Sequence, residues 1–195
     1  MTARNTRCRM SCVHCYDNAL LRRLSHDLGG WPVTAQGPQA MRLHLDEQLH
    51  ITIMTRRRRL FMGEINSARF VAEGECCWQE TLKVQAHQPG WLQRRPVTFH
   101  APSSPSGAQP LLAFLAAYPV LAQTLGELDY RHFSLSLAAG RWRCEIEPYA
   151  ASDVVCRLPP LRRYLRLPPR QRMLLLSVLR MVAQLMQVAD RNTAG

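Results

Sequence analysis

Lysine is almost absent from this chain: among its 25 lysine and arginine residues, Lys83 is the only lysine. Long hydrophobic runs are absent too: no 18 consecutive residues are apolar, which predicts no membrane-spanning helix. Residues 1–15 are polar and basic and lack the apolar segment of a secretory signal. We therefore expect a cytoplasmic protein, in which cysteines stay reduced.

Common catalytic motifs are also missing. The sequence contains no G-x-S-x-G, no phosphate-binding loop, no G-x-G-x-x-G and no H-E-x-x-H. The seven cysteines are an odd number, and Cys76 and Cys77 are adjacent, which does not fit a secreted disulfide framework. These absences favour a non-enzymatic binding or accessory module over an enzyme.

The composition is that of a folded chain, with 195 residues of which 47% are hydrophobic and 20% are charged. A chain of this length buries roughly 70% of the surface that its unfolded form exposes, so it needs no covalent staples. Residues 101–110 are rich in proline and serine, which is typical of a loop. We expect a disordered N-terminal arm over 1–15 and a single domain over 16–195, with a connecting loop near 101–110.

The hydrophobic periodicity predicts more strands than helices. Apolar and polar residues alternate over 41–45, 49–53 and 78–86, and a turn at 138–141 joins 133–137 to 142–146 as a hairpin. Residues 60–65 and 69–72 are predicted as further strands. Helical patterns follow Asp17, cover 111–125 with a break at Pro119, start again after Pro159, and cover 170–190.

Most of these strands follow one another without an intervening helix. Consecutive strands with short connections form antiparallel sheets. The sequence therefore predicts an α+β fold, in which an antiparallel β-sheet of consecutive strands is packed by N-terminal, central and C-terminal helices.

Positive charge is concentrated toward the two ends of the sequence, and the formal net charge is +11. Residues 1–60 hold ten arginines and four acids, and residues 131–195 hold eleven arginines and four acids. Residues 61–130 hold four basic and six acidic residues. Such an excess favours an anionic partner, although arginine-rich codon usage explains it as well.

Two arginine clusters are the candidate anion-binding sites. The run over 56–59 would place charge on both faces of a strand, so it is expected at a hairpin end or on a projecting ribbon. There the arginines either bind anions or are simply solvated. The second cluster lies within the acid-free segment 157–172, directly before the apolar C-terminal helix. The candidate residues are Arg56, Arg57, Arg58, Arg59, Arg162, Arg163 and Arg166.

The C-terminal helix is apolar around most of its circumference, with one narrow polar stripe. A helix of this kind either closes the core of its own fold or is covered by a partner. A homodimer through this helix and binding to an anionic membrane surface both stay open.

Three cysteines, Cys8, Cys12 and Cys15, have the spacing C-x3-C-x2-C, and Tyr16 follows the last one. This motif resembles that of the radical S-adenosylmethionine enzymes. The resemblance implies that the three thiolates hold a [4Fe–4S] cluster whose fourth iron binds S-adenosylmethionine. The motif covers nine residues, and the chain departs from the family in three respects. Only seven residues precede Cys8, where that family has a buried strand, and Gly29-Gly30-Trp31-Pro32 has tryptophan in place of the family's glutamate. Residues 40–100 are predicted as consecutive strands, whereas the family's partial βα barrel alternates strands and helices.

Because of these departures, we interpret the cysteine spacing as fortuitous and expect no cofactor. An iron–sulfur cluster or a zinc ion at Cys8, Cys12 and Cys15 stays open as the alternative.

The sequence thus leads to one functional hypothesis and two alternatives. The leading hypothesis is a non-enzymatic module that binds an anionic partner, such as nucleic acid or a membrane surface, or a small apolar ligand between sheet and helix. The first alternative is an iron–sulfur protein that uses the N-terminal cysteines. The second is a nucleic-acid-binding protein that uses Arg56–Arg59.

Overall fold

The computed structural model describes residues 18–88, 96–102 and 107–193. The described residues form four helices and ten strands. In chain order these are α1 (Ala19–Asp27), β1 (Val33–Ala35), β2 (Ala40–His44), β3 (His50–Leu60), β4 (Gly63–Glu75), β5 (Leu82–His87), β6 (Thr98–His100), α2 (Gln109–Ala116), α3 (Pro119–Glu127), β7 (Tyr130–Ala138), β8 (Arg141–Pro148), β9 (Ser152–Cys156), β10 (Leu161–Leu165) and α4 (Pro169–Thr193).

All ten strands of the described residues belong to one antiparallel sheet, in which eight strands follow the order β1-β2-β3-β4-β8-β7-β5-β6. The long strand β4 organises it, because Phe70–Glu75 pair with β8 whereas Gly63–Ser67 pair with β9. Strand β10 then extends the sheet beyond β9. The predicted α+β fold with N-terminal, central and C-terminal helices is confirmed.

The four helices pack on one face of this sheet, which we term the helix face. Side chains that alternate along the strands, such as Ile51, Ile53 and Phe70, are fully buried there against leucines of all four helices. The opposite side, termed the open face, carries mainly polar and charged side chains because strand residues alternate between the two faces.

Helix α4 closes the core. Its apolar side chains, among them Leu175, Leu179 and Val182, are buried, and Ser177 and Arg180 lie on the exposed polar stripe. The helix is long and apolar enough to cross a membrane by length and composition, but half of that stretch is buried inside the fold. A core helix passes the same test, so this feature is weak evidence for a membrane protein.

Several local predictions are confirmed. The 133–146 hairpin forms as β7 and β8, with positive φ angles at Ala139 and Gly140 in its turn. Pro119 separates α2 from α3, as expected from a residue that cannot continue a helix. Helix α1 is capped by Asn18, whose side chain accepts a hydrogen bond from the Leu20 N–H, whereas the predicted cap Asp17 lies outside the described residues.

Two local predictions are wrong. Residues 60–65 and 69–72 are not separate strands, because Phe61 and Met62 form a turn and β4 then continues through both segments. The segment after Pro159 is not helical but forms β10, which pairs with β9 from Leu161 to Leu165. Its five residues carry no decisive local pattern, and the free backbone groups of β9 decide its conformation.

Candidate functional site: the arginine tip

The arginine run lies in regular β structure at one end of the sheet. Strand β3 pairs with β4 as far as Leu60 and Gly63, so all four arginines precede the turn. The turn that joins β9 to β10 lies beside it, and the Arg157 N–H donates a hydrogen bond to the Met62 carbonyl at 2.8 Å. We term this end, residues 56–64 and 153–163, the arginine tip; it holds seven arginines and two acids.

Strand alternation divides the arginines of the tip between the two faces. The register places Arg58, Ile65, Val154 and Arg163 side by side on β3, β4, β9 and β10. On the open face, Arg58 and Arg163 therefore stand at the two outer strands, with two apolar side chains between them.

On the helix face, two of the three arginines of the tip are paired with carboxylates, and Arg59 is the third. Arg57 forms an ion pair with Glu64, and Arg162 donates to Asp153 at 2.6 and 2.9 Å. Hydrogen bonding from Arg57 lowers the pKa of Glu64 in spite of an opposing burial effect, and the bond to Asp153 raises the pKa of Arg162. Both pairs line a cleft of about 420 Å³. The two arginine clusters of the sequence thus meet at one end of the fold.

A second cleft, of about 340 Å³, lies on the open face and is lined by arginines around Glu147. The Glu147 carboxylate is buried and accepts hydrogen bonds from Ser67 at 2.9 Å, Arg69 at 3.0 Å and Arg131 at 3.4 Å. Arg56 lies 4.0 Å from the same carboxylate. The cleft therefore contains a carboxylate already surrounded by cations.

Ionisation within this cluster follows from burial and from Arg69. Burial alone would raise the pKa of Glu147, but hydrogen bonds from Arg69 and Ser67 outweigh it and lower that pKa. The pKa of Glu145 is lowered in the same way, by Arg143 and Arg69 against the effect of burial. Burial and then the positive charge of Arg69 lower the pKa of His132, whose ring lies 3.1 Å from the Ser134 hydroxyl.

The predicted anion-binding residues differ in how their charge is used. Arg57 and Arg162 are paired within the tip, and Arg166 donates to Asp27 at 2.7 Å. Among residues 18–88, 96–102 and 107–193, no carboxylate lies within ion-pair distance of three other arginines, which are Arg58, Arg59 and Arg163.

No local pattern in the sequence identifies Arg69 and Arg131 as neighbours of the arginine run. They are separated by 62 positions and become neighbours only because β4, β8 and β7 are adjacent in the sheet. The one local signal is the alternation of Glu145 and Glu147 along β8, which places both carboxylates on the open face, where cross-strand charge pairs form.

The tip also exposes apolar side chains. Phe61 is 97% exposed in the first turn, and Leu158 is 67% exposed in the second. Leu60, Met62 and Leu161 are also exposed. The tip therefore combines cationic strands with apolar turns.

The remaining sequence candidates lie elsewhere. Cys8, Cys12 and Cys15 are outside the described residues, so an iron–sulfur or zinc site there stays a prediction. Within the part of the chain that the structure describes, no group of three His, Cys, Asp or Glu side chains is placed to hold a metal ion. An open apolar cleft of about 560 Å³ lies between β6, α2 and α3, with Phe99 and Leu112 in its lining.

Fold and site together define an α+β protein whose antiparallel sheet has one helix-covered face and one cationic tip with apolar turns. Residues 26–186 match a family described as "Protein of unknown function (DUF3156)", and the chain belongs to that family. The match includes the arginine tip, whereas Cys8, Cys12 and Cys15 precede it. No curated protein and no solved structure matches the chain significantly.

Proposed function

We propose that this protein is a non-enzymatic binding module that holds an anionic partner at the arginine tip. The observation that carries the proposal is the charge imbalance there, seven arginines against two acids, both of which are already paired. Guanidinium groups bind phosphate and carboxylate oxygens through fixed, forked donors. Arg58, Arg59 and Arg163 supply such donors without an internal ion pair in the described structure.

The spacing of these donors favours an extended partner. Arg58 and Arg163 stand on strands that are three positions apart in the sheet, which separates their backbones by about 14 Å. An anionic surface or polymer contacts both residues at that separation, whereas a single small anion would have to draw both side chains together over Ile65 and Val154. The open-face cleft is less suited to a small anion because Glu147 already occupies its centre.

We further propose that the protein acts in the cytoplasm. Support comes from the free thiols of Cys76, Cys77, Cys144 and Cys156, since a reducing compartment keeps cysteines in that form. Burial raises the pKa of the Cys144 thiol, so this residue is expected to be unreactive there.

The proposal is tested with two anionic probes, a fluorescent single-stranded DNA oligonucleotide and vesicles that contain phosphatidylserine. The variant Arg58→Gln/Arg163→Gln removes one unpaired arginine from each outer strand of the tip. Each arginine near an anionic surface contributes about 1 kcal/mol, so we expect affinity for the bound probe to fall by roughly tenfold or more. Binding should also weaken steeply as salt is raised.

The matched control is Arg141→Gln/Arg191→Gln, which removes the same charge from exposed positions elsewhere. Arg141 pairs with Glu75 in the sheet register, at the opposite end of β4 from the tip. The control is expected to bind like the unchanged protein. Equal losses in both double variants, or no binding to either probe at low salt, would contradict the proposal.

A further inference from the structure

The two turns of the arginine tip carry the most exposed apolar residues of the described chain. Phe61 and Leu158 lie at the two turns, and the hydrogen bond from Arg157 to Met62 holds these turns side by side. Leu60 and Leu161 are in register with Gly63 and Cys156 across the four strands. The exposed apolar groups therefore cluster at one end of the sheet and are not scattered singly.

The arginines stand directly behind this apolar end. Arg59 precedes Phe61 by two residues and Arg58 by three, so their backbones lie about 7 and 10 Å from the outermost turn. On the second hairpin, Arg163 lies two residues behind Leu161. The end of the sheet therefore has an apolar outer layer and, about 7–10 Å behind it, a cationic layer.

This layering matches the boundary of an anionic lipid bilayer. Interfacial apolar groups enter a membrane by about 5–10 Å, and Lys or Arg groups at the same surface contact anionic headgroups. We infer that the arginine tip docks on an anionic lipid bilayer, with the Leu60–Phe61–Met62 and Leu158–Leu161 turns inserted among the lipids and Arg58, Arg59 and Arg163 bound to headgroups. This inference rests on the proposed function and names its partner.

Two other occupants fit the tip less well. Single-stranded nucleic acid is bound by several aromatic side chains on which bases stack, but Phe61 is the one aromatic residue in the apolar turns, and leucine and methionine offer no stacking surface. A second copy of the chain would bring two strongly cationic tips together, and their like charges would repel. A bilayer satisfies the apolar and the cationic layer at once.

The test compares Phe61→Ala with Val120→Ala in sedimentation of vesicles. Val120 is 59% exposed in α3 and serves as a matched loss of an exposed apolar side chain away from the tip. Vesicles of phosphatidylcholine alone are compared with vesicles that contain about a third phosphatidylserine. Binding to the single-stranded DNA oligonucleotide is measured in parallel. Melting curves check that each variant is folded, and we expect both to fold because the two substituted side chains are exposed.

We expect binding to the phosphatidylserine vesicles, little binding to phosphatidylcholine alone, and a roughly tenfold loss for Phe61→Ala. Val120→Ala should bind like the unchanged protein, and Phe61→Ala should not weaken whatever affinity the oligonucleotide shows. This pattern would support insertion of the tip.

The contrary results are distinct. Binding to the oligonucleotide but not to vesicles would overturn the bilayer inference and leave the proposed anion-binding function standing. Equal vesicle binding by Phe61→Ala and the unchanged protein would overturn insertion. A Phe61-dependent dimer in size-exclusion chromatography, without vesicle binding, would assign the apolar turns to a second copy. Absence of binding to both probes would overturn the inference and the proposed function together.

Discussion

At the scale of single residues, Asp27 joins the first helix to the C-terminal part of the chain. The residue is 5% exposed, and its carboxylate accepts hydrogen bonds from the Tyr164 hydroxyl at 2.7 Å, from Arg166 at 2.7 Å and from the Leu167 N–H at 3.0 Å. This contact keeps β10, and with it one side of the arginine tip, against α1. It also raises the pKa of Tyr164, after burial as the larger cause.

We predict that Asp27→Asn lowers the free energy of unfolding by about 1–3 kcal/mol, because the amide offers one acceptor oxygen to three donors and leaves buried groups unpaired. Urea denaturation measures the loss. The matched control is Glu73→Gln, which breaks the half-exposed pair with Arg143 and should change stability by less than about 1 kcal/mol. A loss for Glu73→Gln as large as that for Asp27→Asn would contradict this assignment.

At the scale of elements, the tip depends on the close approach of β4 and β9. A Cβ atom at Gly63 would lie 2.2 Å from the Val155 carbonyl oxygen, a distance that no side chain can occupy without moving the backbone. The absence of a side chain at this position thus allows the two hairpins of the tip to lie side by side.

We expect Gly63→Ala to lower the free energy of unfolding by about 1–3 kcal/mol, as overpacking does in general. If the inference on the bilayer holds, it should also weaken vesicle binding by separating the two turns. Gly126→Ala in helix α3 is the control. A Cβ atom at Gly126 would lie 3.8 Å from Val97, which is an ordinary van der Waals distance, and alanine has a higher helix propensity than glycine. Thermal and urea unfolding of both variants tests the difference; unchanged stability of Gly63→Ala would disprove the close approach.

The elements also show where local sequence patterns were sufficient. The β7–β8 hairpin was predicted correctly because its two strands alternate regularly and its turn has a distinctive sequence. Helix α4 was predicted correctly because its apolar pattern is long and prolines mark its start. Strand β10 was mistaken for a helix because five residues between prolines carry little pattern of their own. Its partner β9 is the preceding strand, but the turn over 157–160 that joins them contains two prolines and no glycine, so it lacks the turn signal of the β7–β8 hairpin.

At the scale of the whole molecule, the open face makes stability depend on pH. Glu145 and Glu147 have lowered pKa values in the fold, so they stabilise it above the pKa of the unfolded carboxyl groups, and this contribution is lost as the pH falls through the folded values. His132 has a lowered pKa as well, so the unfolded chain takes up its proton first when the pH falls below about 6.5.

All three groups therefore act in the same direction, and we predict that the free energy of unfolding decreases from pH 7 toward pH 3, first through His132 below about 6.5 and then through the two carboxylates below about 4.5. Urea denaturation over this range measures the slope. In His132→Gln the part of the decrease near pH 6 should disappear, while the carboxyl part at lower pH should remain. Stability that rises on acidification would contradict the cluster as described.

Local sequence patterns were enough to predict the class of fold and the location of charge along the chain. Hydrophobic periodicity is a local property, so it indicated the sheet, the helices and the division of Arg56–Arg59 between two faces. Which arginines have no carboxylate partner in the described structure follows from the folded arrangement alone, because ion pairs such as Arg162 with Asp153 and Arg166 with Asp27 join distant elements or depend on strand register. The same holds for the apolar turns, since exposure depends on what the rest of the fold leaves uncovered.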